Sequence, residues 1–137
     1  MKTLSRFVSC VLCAALCLLA AACGSAGSVK GKLTHGGQPV TVDKTKGKIA
    51  VTFHLLDQKG AATSSFPANV NPDDGTFTVA GRDGGGIPPG KYRVSVEVFE
   101  KYPSPIDKFK KQYSGEKSNL IREITRGSQE IDLDLGK

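Results

Sequence analysis

From residue 29 onward, apolar side chains recur at every second position. Val29 and Leu33 stand either side of Gly31, followed by Ile49, Val51, Phe53 and Leu55, by Phe77 and Val79, by Tyr92, Val94, Val96 and Val98, and last by Ile131, Leu133 and Leu135. Period two is the strand period, because successive side chains of an extended chain point to opposite faces. The residues between are mostly polar: Lys48, Thr52 and His54, then Lys91, Arg93, Ser95 and Glu97, then Glu130, Asp132 and Asp134. Each strand is therefore predicted to cover a core on one face and meet water on the other, as in antiparallel sheets packed face to face. Two further strands are predicted near residues 62–70 and 119–125.

Turn chemistry separates the runs. His35-Gly36-Gly37-Gln38-Pro39, Gln58-Lys59-Gly60, Asn71-Pro72-Asp73-Asp74-Gly75, a long Gly-rich loop over residues 81–90, Lys101-Tyr102-Pro103-Ser104-Pro105 and Arg126-Gly127-Ser128 all carry breaker residues. Asp74-Gly75 is expected to supply the positive backbone angles of a tight hairpin, and Pro88-Pro89-Gly90 to end its loop and release the chain into the Tyr92 strand. Ile106, Phe109 and Tyr113, three and four residues apart, suggest a short helical turn. The prediction is an all-β domain over residues 29–137, a single seven-stranded antiparallel β-sandwich with no internal repeat.

The first 22 residues break this pattern. Lys2 and Arg6 precede an uncharged apolar stretch over residues 7–19 and the small residues Ala20, Ala21 and Ala22, the three parts of an export signal. The apolar run is shorter than the roughly 20 residues of a membrane span, and Gly24, Ser25, Ala26, Gly27 and Ser28 follow it in place of a basic stop-transfer flank. Leu19-Ala20-Ala21-Ala22-Cys23 resembles a lipobox, in which a diacylglyceryl group is placed on a cysteine that becomes the mature N-terminus. It departs from that pattern at Ala20, where the family usually has Leu. Ala20 and Ala22 also satisfy an ordinary A-x-A site, whose cleavage would yield a soluble periplasmic protein. The leading expectation is lipidation at Cys23, with residues 23–28 as a Gly/Ser tether and the membrane as a partner through the anchor. Gly24 after the cysteine looks like an outer-membrane address where such sorting exists.

Removing residues 1–22 takes away Cys10, Cys13 and Cys17 and leaves Cys23 alone, so the domain is expected to fold without disulfides. It leaves 115 residues, enough for one ordinary core. Seventeen basic residues then face thirteen acidic ones, a charge of +4. That balance argues against nucleic acid as a partner. Lys108, Lys110 and Lys111 form one local cluster, read first as a solvated face and second as a contact for anionic lipid or an acidic wall polymer.

Candidate chemistry is sparse. Asn71 to Gly75 has calcium-like carboxylates but lacks a closing Glu. His35 and His54 are the only histidines, so a zinc site would need a third ligand from Asp or Glu, and surface histidines without a role are the expectation. No Lys-Ser/Thr pair follows the glycines after Arg82, and no G-x-S-x-G elbow exists. No cofactor, metal or catalytic residue is expected. The possible ligand loop comprises Arg82, Phe99 and Tyr102, the last two being the modest aromatic candidates in a chain without Trp.

The order Val29-Lys30-Gly31-Lys32-Leu33, Gly37-Gln38-Pro39-Val40, Ile49-Ala50-Val51-Thr52-Phe53, Asp74-Gly75-Thr76-Phe77 and Ile87-Pro88-Pro89-Gly90-Lys91-Tyr92-Arg93-Val94 resembles the carboxypeptidase regulatory-like, or transthyretin-like, domains. The C-terminal part is similar to small lipoproteins of planctomycete-type bacteria that carry this domain. The resemblance implies a rigid accessory module without catalysis, attached to something else or placed at a surface, and the leading expectation is that it binds or scaffolds another envelope component, such as a protein or wall polymer. The transthyretin-like hydrolases end in Tyr-Arg-Gly-Ser. Here Arg126-Gly127-Ser128 follows Thr125, and a strand continues beyond it. Two alternatives stay open: a small hydrolase of that type using His35, His54 or Arg126, and a carbohydrate-binding module using Tyr102.

Overall fold

A computed structural model describes residues 27–104 and 106–136. The predicted signal segment, the predicted lipidation site Cys23 and residues 24–26 of the predicted tether lie outside the described residues. Gly27, the first described residue, already belongs to the fold, two residues before the expected start near Val29. Its N–H donates to the Ile87 carbonyl (2.9 Å) and its carbonyl accepts from Ile87 N–H (2.8 Å).

The structure is all-β, with strands β1 (Val29–His35), β2 (Gln38–Pro39), β3 (Lys48–Leu56), β4 (Ala62–Val70), β5 (Thr76–Val79), β6 (Gly90–Phe99), β7 (Ile121–Ile124), β8 (Gln129–Glu130) and β9 (Leu133–Asp134). No α-helix occurs among the described residues. Hydrogen bonds link the strands into one largely antiparallel sheet, in the order β2, β1, β5, β4, β3, β6, β7, which curls into a half-barrel.

β4 turns the corner of this sheet. Its residues from Ala62 to Pro67 pair with β3, and those from Ala68 to Val70 pair with β5. Pro67, with no N–H to offer a ladder, is the last residue paired to β3. The bend brings Phe53 of β3 within 6.0 Å of Phe77 of β5, ring centre to ring centre, and Tyr92 of β6 within 6.2 Å of both Phe53 and Phe66. Val29, Leu33, Val94, Val96, Val98 and Leu133 close the same core, all fully buried. Each such aliphatic or aromatic side chain contributes roughly 1.5–3 kcal/mol relative to exposure. Tyr92 remains satisfied there because its hydroxyl donates to the Pro88 carbonyl (2.7 Å); burial pushes its pKa up to about 12.

Nine strands occur where seven were expected, because Gln38–Pro39 pairs briefly with β1 and the C-terminal strand is split in two, and three further expectations change. The C-terminal strand is not antiparallel: Val29 pairs with Gln129 and Leu33 with Leu133 in parallel. After β7 the chain reverses at Gly127 (φ 92°) and runs along the free edge of β1 in that strand's own direction. The strand is also split, since Asp132 Oδ1 accepts the Lys32 N–H (3.0 Å) where a ladder would use a carbonyl. Second, in the 71–76 hairpin only Gly75 takes a positive φ (72°), so Asp74 does not share that conformation. A Cβ on Gly75 would lie 2.7 Å from the Leu33 carbonyl oxygen, whose own N–H donates to Gly75 O (2.8 Å). Third, residues 107–114 make successive turns and no helix. Lys110 and Lys111 sit at φ 51° and 62°, a left-handed geometry that stops helical propagation.

The sheet has two ends. At the base, where Gly27 meets Ile87, lie the turns at residues 57–60, 81–86 and 125–128. At the tip lie residues 35–37, 41–47, 71–75 and 99–111. β6 runs ten residues from base to tip, about 30 Å at roughly 3.3 Å per residue.

Candidate functional site

At the tip, Phe99 ends β6 opposite Lys48, the first residue of β3. The chain then makes an excursion and returns at Asp107, a buried carboxylate. Its Oδ1 accepts the N–H of Val98 (2.6 Å) and its Oδ2 the N–H of Lys111 (2.7 Å). Beside it, Lys108 N–H donates to the Val98 carbonyl (2.7 Å). The excursion is held on its other side by Tyr102 N–H, which donates to the Lys46 carbonyl (2.5 Å). Together these bonds fix where Tyr102 stands.

The Tyr102 ring is 56% exposed. Phe99 meets it edge-on at 6.2 Å, and the Lys48 ammonium lies 4.7 Å from its centre, a cation–π contact worth about 0.5–1 kcal/mol at an exposed site. Lys101 adjoins it in the chain. Beyond, Glu100, Lys101, Ser104, Ile106 and Lys108 line a groove of about 200 Å³. Glu100 pairs with Lys108 (3.1 Å), and Ile106, expected on a packed helical face, is 75% exposed. The tip thus presents a partly exposed tyrosine with a lysine ammonium over its ring, an exposed aliphatic residue and further lysines in the flanking chain.

Of the three residues predicted to form a ligand loop, two come together and one does not. Phe99 and Tyr102 touch. Arg82 stands exposed in the 81–86 turn at the base, about 30 Å away along β6. The histidines and Arg126 also stay apart. His35 is exposed at the tip with its ring 5.3 Å from that of Phe109, Arg126 occupies the β7–β8 turn at the base, and His54 lies on the outer face of β3.

His54 has partners that sequence reading missed. Its Nδ1 is 2.8 Å from Ser65 Oγ on β4 and its Nε2 2.9 Å from Ser95 Oγ on β6. All three residues occupy outward positions of adjacent strands; alternation placed His54 and Ser95 on that face but could not align them, and Ser65 was not assigned to a face. Partial burial, then the charge of Arg93, lowers the imidazole pKa below its ordinary 6.5. A neutral ring donates to one serine and accepts from the other. Lys48 was likewise unreadable as a partner of Tyr102, being far from it in sequence and joined only by β3–β6 pairing.

The 71–75 turn uses its carboxylates internally. Asp74 Oδ1 accepts from Thr76 N–H (2.9 Å) and Oγ1 (2.7 Å), which holds its carboxyl below the usual range, and Asp73 pairs with Lys44. Among the described residues no group of three His, Cys, Asp or Glu is arranged to hold a metal ion. A wide, shallow depression of about 430 Å³ lies on the outer face of β1, β4 and β5, where Asn69, Thr78, Lys30 and Glu130 form one cross-strand row.

No protein-family model, curated protein or solved structure matches this chain.

Proposed function

We propose that the chain is an exported lipoprotein, anchored through Cys23, whose domain is a non-enzymatic binding module of transthyretin-like β-sandwich type with the Tyr102 tip as its contact surface. The observation that carries this reading is polarity: Gly27 is tied to Ile87 at the base, while the open aromatic and basic cluster lies at the opposite end, about 30 Å away. Cys23 is four residues before Gly27, a reach of at most about 14 Å. An anchor there keeps the base near the bilayer and lets the tip point outward. The sandwich reading is supported by β4, which pairs first with β3 and then with β5 so that Phe53 and Phe77 meet across the core. A catalytic reading lacks a comparable support, because His35, His54 and Arg126 stand apart.

Membrane extraction from the native cells, followed by intact mass and N-terminal peptide analysis, tests the anchor. The expected result is a chain beginning at a diacylated Cys23, with Cys23→Ser shifting the protein out of the membrane fraction. An unmodified N-terminus in the soluble fraction would overturn it.

A further inference from the structure

We propose that the tip binds an acidic polysaccharide, with the Tyr102 ring as the platform for a sugar face and Lys46, Lys48 and Lys101 as the cationic rim. This names the partner class for the binding surface above and rests on the chain being exported. Lys48 places its ammonium over the ring at 4.7 Å, Lys46 is tied to the excursion through its carbonyl, which accepts the Tyr102 N–H, and Lys101 precedes Tyr102 in the chain, so all three lysines leave the backbone at the tip. Among the described residues none of the three takes part in an ion pair. The neighbouring acids are engaged elsewhere: Glu100 with Lys108 at 3.1 Å, and Asp43 with the N–H (2.8 Å) and hydroxyl (2.5 Å) of Thr45.

Three lysines that leave the backbone at one end of the sheet repel each other weakly in water, and a polyanion relieves that repulsion while gaining their attraction. An exposed aromatic face adds what a simple anion cannot use, an apolar plane that accepts the C–H face of a pyranose ring. A ligand that satisfies both carries carboxylates and ring faces on one repeating chain. The site is also well fixed, since Asp107 and the Lys46 carbonyl hold the excursion at both sides, so little ordering opposes binding. An anionic lipid surface would use the lysines, but an anchor at Cys23 would hold the tip about 30 Å from the membrane that carries it.

The test uses the intact protein, purified in detergent, against immobilised polygalacturonate, neutral pullulan and vesicles containing phosphatidylglycerol, by biolayer interferometry. Expected is binding to polygalacturonate and not to pullulan, weakening as ionic strength rises from about 0.01 M to about 1 M and the screening length falls from about 30 Å to about 3 Å. Replacing Lys46, Lys48 and Lys101 together by Gln should weaken binding about tenfold or more, and Tyr102→Ala should weaken it about fivefold. Lys59→Gln with Arg126→Gln at the base should leave it unchanged. Thermal melts of each variant confirm that the domain stays folded. Absent binding to polygalacturonate, equal loss from the base variant, or binding to the vesicles alone would each overturn the proposal. The state of Cys23 is measured separately, so a chain that lacks the anchor yet binds the polymer refutes the location and leaves the tip assignment standing.

Discussion

The carboxylate of Asp107 accepts the main-chain N–H of Val98 at 2.6 Å, inside a strand whose inward residues are otherwise all apolar. Past the end of the β7 pairing, which covers only Gly90 to Arg93, β6 has used a side chain where a neighbouring strand would supply a carbonyl. The same carboxylate takes the Lys111 N–H at 2.7 Å, so one buried acid closes the excursion that carries Tyr102 and Ile106.

Asp107→Ala should therefore destabilise the domain by about 2–4 kcal/mol, since it removes two charge-assisted bonds and leaves the Val98 N–H buried without a partner. Asp107→Asn should cost less, because the amide oxygen still accepts one of the two. Urea midpoints followed by tyrosine fluorescence give both numbers. Equal stability of the Ala variant and the wild type would show that the bond does not hold the excursion.

Two glycines with the same backbone angle should respond differently to alanine. Gly75 and Gly84 both have φ 72°, but an added Cβ meets the Leu33 carbonyl oxygen at 2.7 Å in the first case and open space in the second. Gly84→Ala should cost about 1–2 kcal/mol from the left-handed conformation alone. Gly75→Ala adds a backbone clash and should exceed that by at least about 1 kcal/mol. Thermal unfolding of the pair measures the difference, and similar losses would mean that the β1 and β5 approach relaxes at little cost.

Acid should weaken the fold through His54. Its pKa is lowered in the folded state, chiefly by burial and also by Arg93, so below the ordinary value of 6.5 the unfolded chain binds a proton that the folded one refuses. The contribution is fully present above about pH 6.5 and declines as the pH falls from there through the folded value. Arg93→Gln should raise the His54 pKa, read from the imidazole proton shifts by NMR, and shrink this acid loss. An unchanged titration in that variant would remove Arg93 as a cause.

Alternation made most of the sheet legible. Val94, Val96 and Val98 alternate with Arg93, Ser95 and Glu97, and they are buried and half-buried in turn. Ala62–Val70 forms a strand over the predicted span, and Gly75 takes the turn conformation that its lack of a Cβ permits. The site was half legible. Phe99 and Tyr102 are close in sequence, and their contact follows from that closeness. Arg82 was read as the adaptable part of its Gly-rich loop, and that loop adjoins the end of β6 opposite to Phe99 and Tyr102.

What the sequence determined by itself is which side of each strand is wet and where the chain must turn, because both are properties of neighbouring residues. Direction and partnership were decided by tertiary structure. The parallel run of Gln129 and Leu133 beside β1 depends on where the curled sheet leaves an edge free. The Ser65, His54 and Ser95 alignment depends on the register of three strands, and Lys48 reaches Tyr102 only because β3 begins where β6 ends. These are contacts between residues far apart in the chain, set by how the apolar faces close on one core, and no local pattern encodes them.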